Sequence, residues 1–275
     1  MALNKWRAKN MVTVYEAAPD IHVLTFNMAI ANLGQLPINA FLLRSAEPVL
    51  VDTGVGVQSA AFMSALRSLI DPAELSWIWL THPDPDHIGS LHQLLRENTR
   101  LRVATTFLGV GIMSLFAPLP MDRVHLVNPG EKLVLSDRTL TAVKPPVFDN
   151  PSTTGFFDDK TRAFFSSDCF GAVLPEPPQH AAEIPEQQLR QGQTLWATID
   201  SPWMHKVDRA KLSHELNQVR SMEPSLILSS HLPVATPPLM DRLLATIAEV
   251  PAAQPFVGPN QAALEQMMQQ MMQHR

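Results

Sequence analysis

Hydrophobic positions follow two rhythms along the chain. In the first third they form short runs bounded by turn residues. "IHVLTF" (21–26), "NAFLLRS" (39–45), "PVLVDTG" (48–54) and "LSWIWLTH" (75–82) are rich in β-branched and aromatic residues and predict strands. Residues 57–70, "VQSAAFMSALRSLI", carry a helical period through Ala60, Phe62, Leu66 and Leu69. "HIGSLHQLLRENT" (87–99) predicts a second helix, and "LRVATT" (101–106) another strand. The stretch from about 123 to 168 is strand-rich, with "RVHLV", "KLVLS", "TLTAV" and "RAFFSSD" separated by turns. From about 182 the pattern is mostly helical, broken by the apolar run "SLILSSHLPV" (225–234). This order of elements predicts one α/β domain over residues 1–275, with a mixed sheet or paired sheets.

The segment "NQAALEQMMQQMMQHR" (260–275) predicts a short helix with Leu264, Met267, Met268, Met271 and Met272 on one side. Such a stripe docks on its own domain or makes a homodimer contact. Helical spacing of methionine signals packing rather than a metal or haem site.

Composition narrows the function classes. A chain of 275 residues that is 45% hydrophobic and 17% charged is globular, with enough length for a substantial core. The net charge of −5 and the absence of a basic block give no electrostatic case for nucleic acid. The single cysteine, Cys169, excludes an intrachain disulfide and points to a reducing compartment. Residues 1–17 hold no apolar run suited to a signal peptide, and no stretch is long enough to span a membrane. The expectation is a cytoplasmic protein.

The candidate chemistry lies in "LTHPDPDHIGSL" (80–91), where His82, Asp84, Asp86 and His87 crowd the end of a predicted strand. Pro83 and Pro85 fix their own φ, remove two backbone donors and bias the residues before them to extended conformations, so the segment is not a helix. Two aspartates two residues apart repel unless a cation lies between them. Asp86 could serve as an N-cap for a helix starting near His87, but a cap uses one residue and leaves three unexplained. Four residues cannot complete two coordination spheres. Further ligands are expected at strand ends: Asp168 closes "RAFFSSD", His231 closes "LILSSH", and Asp149 follows "AVKPPVF". Asp149 could equally cap the turn at "DNPST". His22, His92, His125, His180, His214 and His274 stand in ordinary contexts that suit structural roles, and His205 could line a pocket. Cys169 suits a small buried side chain, while Trp203 and Phe170 suit either a pocket wall or the core.

Thr-His-x-Asp-x-Asp-His-x-Gly (Thr81 to Gly89) resembles the Thr-His-x-His-x-Asp-His-x-Gly signature of the metallo-β-lactamase fold, and "PVLVDTGVG" is similar to the strand and turn before it. The resemblance runs over roughly 20–235. It implies an αββα sandwich with a dinuclear metal site at one edge of the two sheets, and Asp52 standing behind the metals. "LPINAFLLRSAEPVLVDTG" and "PPVFDNPSTTGFFDDKTRAFFSSDCFG" look like the β-lactamase-like domain of flavodiiron proteins and stand-alone oxygen-binding diiron proteins. That branch has a carboxylate, more often glutamate, where Asp84 stands. It has a histidine where this chain has Asp149. Carried over by position, the resemblance implies one metal on His82, Asp84 and Asp149, a second on Asp86, His87 and His231, and Asp168 bridging them.

Three histidines and four aspartates make a donor set rich in oxygen, which suits iron or manganese better than the imidazole-rich sets of zinc hydrolases. Iron is therefore the favoured metal, with zinc or manganese as alternatives. The expected function is a nonhaem diiron protein that binds or reduces dioxygen or nitric oxide, as an enzyme or as a sensor. With no flavin-binding glycine loop and no FMN in this chain, electrons would come from a donor protein. The alternative is a dinuclear metallohydrolase acting on an ester, lactone, thioester or phosphodiester, in which Asp86 orients a metal-bridging hydroxide as the catalytic residue.

Overall fold

In a computed structural model, residues 11–273 are described. The preceding decapeptide, part of the segment read as lacking a signal sequence, lies outside the described residues, as do His274 and Arg275. A seven-stranded sheet runs in chain order: β1 (Thr13–Ala18), β2 (Ile21–Ile30), β3 (Gly34–Leu43), β4 (Val49–Val51), β5 (Trp77–Trp79), β6 (Arg102–Thr105) and β7 (Val124–Leu126). Its first four strands pair antiparallel, and β4 through β7 pair parallel. The helices α1 (Ser59–Leu69), α2 (Leu91–Glu97) and α3 (Phe107–Met113) lie in its parallel crossovers. The second sheet has five strands, β8 (Lys132–Val134), β9 (Thr139–Val143), β10 (Gly155–Asp158), β11 (Ala163–Phe165) and β12 (Leu226–Leu228), in the order β12-β11-β10-β9-β8. Only β11 and β12 are parallel there. The helices α4 (Glu186–Asp200), α5 (Arg209–Ser221), α6 (Pro237–Glu249) and α7 (Gln261–Gln273) complete the order.

The strand runs are apolar on both faces because both faces are covered. Val49, Val51, Trp77 and Trp79 point between the sheets, toward Phe156, Phe165 and Leu228. Leu50, Ile78 and Leu80 point outward, onto Phe62, Met63 and Leu66 of α1 and Leu91, Leu94 and Leu95 of α2. The outer face of the small sheet, through Phe164 and Ile227, packs on Leu189, Leu212, Leu216 and Leu243 of α4 to α6. This is an αββα sandwich.

The structure differs locally from the sequence expectation, and the start of the second helix has a clear physical cause. The second helix starts at Leu91, not near His87, and Ser90 rather than Asp86 is its N-cap. Residues 89 and 90 are tied instead to the turn after β4: Gly89 N–H donates to the Gly54 carbonyl at 2.7 Å, and Ser90 N–H to the Thr53 carbonyl at 3.1 Å. On α1 Met63 is buried where the period nominated Ala60, which is exposed. Strands β1 and β10 and helix α3 extend the expected list. On α7, Leu264, Met268 and Met272 are exposed and Met267 is half-buried.

Candidate metal centre

Three strands deliver the centre by the same device. His82, Asp168 and His231 each stand three residues beyond the last residue of β5, β11 and β12. Phe165 and Leu228 are register partners, so Asp168 and His231 leave the small sheet side by side. Val51 and Trp79 are register partners in the large sheet, so Asp52 lies beside the start of the His82 loop. That loop then folds back: His87 N–H donates to the Asp84 carbonyl at 2.9 Å, and Thr53 N–H donates to the His87 carbonyl at 2.7 Å. Only glycine fits at position 89, since a Cβ there would lie 2.4 Å from the backbone of residues 55 and 56. Asp149 reaches the centre from the loop between β9 and β10.

The histidines are oriented from behind. Asp52 Oδ2 accepts from His87 Nδ1 at 2.8 Å and from Thr81 Oγ1 at 2.8 Å, while Oδ1 accepts from the Thr81 N–H at 2.9 Å. The Pro37 carbonyl accepts from His231 Nδ1 at 2.7 Å. His82 Nδ1 lies 3.1 Å from Thr81 Oγ1 and 3.2 Å from Ser167 Oγ. With Nδ1 protonated on each ring, Nε2 keeps its lone pair facing the centre, the arrangement that metal-ligating histidines use. Asp52 and Ser167 hold this frame with φ at 57° and 52°, in the left-handed region where non-glycine residues are uncommon.

Nε2 of His87 lies 3.2 Å from Asp168 Oδ1 and 3.6 Å from Asp86 Oδ2, and Nε2 of His231 lies 3.4 Å from each of the same two oxygens. Nε2 of His82 lies 3.6 Å from Asp168 Oδ2, 3.8 Å from Asp149 Oδ1 and 4.0 Å from Asp84 Oδ2. Two donors each about 2.1 Å from one ion in tetrahedral array are about 3.4 Å apart, so these separations suit shared coordination. The two oxygens of Asp168 face opposite groups, which is the placement of a bridging carboxylate. The donors within 4.8 Å of one another include the sets His82–Asp84–Asp149 and Asp86–His87–His231, with His82–His87–Asp168 spanning the two. The structure thus brings all seven sequence candidates into one centre.

The titration of the metal-free cluster reflects its charge. Burial lowers His82, helped by His87 beside it. Burial also opposes charge on His87, but Asp86, Asp168 and Asp52 outweigh it and hold that imidazole well above the usual range. His231 is raised to about 9 against the effect of burial, chiefly by Asp168. Asp168 is held well below the carboxylate range, because the charges of His231, His87 and His82 overcome its burial. Asp149 moves the other way, to about 7, through burial and the Asp168 and Asp84 carboxylates. In the absence of a metal, protons on imidazoles neutralise one half of the centre, and Asp149 tends toward protonation in the other.

The residues fit a metal pair on independent grounds. Nε2 of His82 and His87 and Oδ1 of Asp149 and Asp168 are buried without a hydrogen-bond partner. Orphaned polar atoms of this kind are costly unless something else satisfies them.

The remaining candidates fall outside the centre. His205 sits in the 3-10 turn Pro202–Lys206 and belongs to none of the donor groups. His22 is on β2, His92 on α2 and His125 on β7, while His180 and His214 are exposed. Cys169 is buried, and burial pushes its thiol up, out of reach of a thiolate role. Phe170 is core, and Trp203 packs on that core while its indole N–H donates to the Phe148 carbonyl at 2.7 Å, bracing the residue before Asp149. Two residues near the centre escaped the sequence reading. Asp200, the last residue of α4, has a carboxylate oxygen within 4.8 Å of Asp149 and Asp168. Trp196, one helical turn earlier, packs against His231 with ring centroids 4.8 Å apart and the ring planes tilted by 59°. Neither lies in a motif.

An αββα sandwich with histidines and carboxylates converging at strand ends defines the metallo-β-lactamase-like class of fold. A family model described as ODP family beta lactamase matches residues 36–231, and the chain belongs to that family. It is 26% identical over 171 residues to the anaerobic nitric oxide reductase flavorubredoxin of Salmonella typhi, covering 62% of this chain and 36% of that protein. It is 26% identical over 167 residues to the rubredoxin-oxygen oxidoreductase of Megalodesulfovibrio gigas, covering 60% and 41%. The crystal structure of the flavodiiron protein from Giardia intestinalis matches with a TM-score of 0.76 at 16% identity, over 87% of this chain and 59% of that one. The chain spans less than half the length of the curated relatives it matches. No helix among the described residues is long and apolar enough to cross a membrane.

Proposed function

We propose that this chain is a dinuclear metal protein, with iron as its metal, that binds or reduces dioxygen or nitric oxide using electrons from a separate donor protein. The observation that carries this reading is Asp168, whose two oxygens face the two donor groups from a buried position between them. His82, Asp84 and Asp149 would hold one ion, and Asp86, His87 and His231 the other, with Asp168 shared. Two ferrous ions so held would supply electrons to a small diatomic molecule.

The chain's own residues set the conditions for that chemistry. Asp52 and the Pro37 carbonyl fix the tautomers of His87 and His231. Asn150 Nδ2 donates to Asp84 Oδ1 at 2.9 Å and leaves Oδ2 turned toward His82. Trp196 covers His231 from the α4 side. The carboxylate-rich donor set supports iron over zinc, because hard oxygen donors stabilise higher oxidation states. The named relatives, a nitric oxide reductase and an oxygen oxidoreductase, support a diatomic substrate.

Anaerobically reduced, iron-loaded protein mixed with dioxygen or nitric oxide tests this reading. A near-ultraviolet absorption change within the mixing experiment, absent from an Asp168→Ala variant, is expected. No optical response to either gas, together with turnover of a lactone or phosphodiester, would replace it with the hydrolase reading and Asp86 as the residue orienting the nucleophile.

A further inference from the structure

Resting on the dinuclear reading above, we propose that Asp200 is an eighth ligand of the centre, a carboxylate that joins His82, Asp84 and Asp149 on the first metal position. Four observations on Asp200 and its neighbours lead there. Its carboxylate oxygen stands within 4.8 Å of ligand atoms of both Asp149 and Asp168. His82, fully buried, presents an unpartnered Nε2 to Asp149 Oδ1 at 3.8 Å and to Asp168 Oδ2 at 3.6 Å, and Asp149 Oδ1 is itself without a hydrogen-bond partner. Asp200 is also the last residue of α4, where the exposed carbonyls of the helix end disfavour a negative charge. Its hydrogen-bond donor is the Ser201 hydroxyl at 3.2 Å, and no lysine or arginine among the described residues pairs with it.

Three separate penalties therefore meet on one side chain: partial burial, two carboxylates close by, and the negative end of a helix. A metal ion at the first position relieves the first two directly and outweighs the third. The same position is where this chain has Asp149 instead of a histidine. A carboxylate arriving from α4 gives that ion another anionic donor, and α4 is long enough, at 15 residues, to hold the carboxylate from a fixed scaffold.

The charge count changes with this ligand. Asp84, Asp86, Asp149, Asp168 and Asp200 are five carboxylates against the four positive charges of two divalent ions. The site then matches one divalent and one trivalent ion, and Asp200 favours oxidation of the first position.

The test is an anaerobic equilibrium titration of the whole chain with Fe(II) against a competing chromogenic chelator. It compares wild type, Asp200→Asn and Asp200→Glu, with thermal melts of each protein free of metal. Asp200→Asn is expected to weaken one of the two sites at least tenfold and leave the other within about threefold. Asp200→Glu is expected to restore most of the loss. The metal-free Asn variant should melt no lower than wild type, because removing a crowded charge does not harm the fold. Two tight sites in wild type and unchanged binding in Asp200→Asn would overturn the role of Asp200 while leaving the dinuclear reading in place. A lower metal-free melt of Asp200→Asn with unchanged affinities would likewise overturn it, in favour of a structural helix-end role. Failure of wild type to bind two ions would defeat both.

Discussion

Two groups of carboxylates, each with one member fully buried, Asp158 in the first and Asp168 in the second, are neutralised in different ways in this fold. Around Arg138 the chain brings its own cation. The guanidinium is buried, and it donates to Asp158 at 3.0 Å, to Asp20 at 2.5 Å and to Asp137 at 3.3 Å, while Lys160 adds a second bond to Asp137 at 2.8 Å. Asp158 also accepts from the Thr161 hydroxyl. At the candidate metal centre Asp84, Asp86, Asp149, Asp168 and Asp200 meet three histidines and, among the described residues, no lysine or arginine within ion-pair distance. Buried charge by itself therefore does not mark a functional site. Unpartnered donors and acceptors that converge on one another do, because no other described residue satisfies them.

Removing each cation in turn sharpens this contrast. Arg138→Met should produce the largest effect, a loss of about 3–5 kcal/mol, because it leaves the fully buried Asp158 carboxylate without its cation. The loss should appear as a lower urea midpoint of equal size with and without metal. An unchanged midpoint would mean that the Arg138 cluster is ornamental and the contrast empty. Stripping metal from the wild-type protein comes next. At a free metal concentration of 100 times Kd each bound ion adds about 2.7 kcal/mol, which is about 5–10 °C in Tm per ion for a chain of this size. Equal melting of loaded and chelated protein would argue that the centre takes no ion.

Asp52→Asn should be smaller and confined to the metal. It keeps the shape but weakens the hold on His87, so metal affinity should fall about 10- to 100-fold as read by chelator competition. No change would show that His87 needs no orientation from Asp52, and hence that the backing network is not part of the metal site. Asp149→His is the smallest: about a few-fold tightening of the first position is expected, since imidazole replaces a carboxylate crowded by Asp84 and Asp168. Unaltered occupancy would make Asp149 a bystander.

Much of the scaffold was legible in the sequence because both of its sheets bury both faces, so strand segments such as "VLV" and "WIW" stand out as continuous apolar runs. The loop "HPDPDH" was legible because proline forbids a helix while four donor residues crowd together. The distant residues Asp149, Asp168 and His231 were found through strand ends and family resemblance. What lay beyond reach has a common cause. Asp200 and Trp196 project from an ordinary amphipathic helix, and only tertiary packing brings that helix's end to the centre. Pro37 contributes a backbone carbonyl, which no side-chain pattern encodes. The start of α2 was misplaced because long-range backbone pairing of Gly89 and Ser90 with residues 53 and 54 overrode a helical period that locally ran on. The exposed Leu264, Met268 and Met272 of α7 show the same limit from the other side, since periodicity reports an apolar face and not what covers it.

The central claim is that the centre holds two ions and that they are iron. Elemental analysis of protein purified anaerobically from iron-replete cells tests it most directly, alongside Asp168→Ala prepared in parallel. Two irons per wild-type chain, falling below one in Asp168→Ala, is the predicted result. Two zincs per chain, or iron content that does not respond to loss of Asp168, would contradict it.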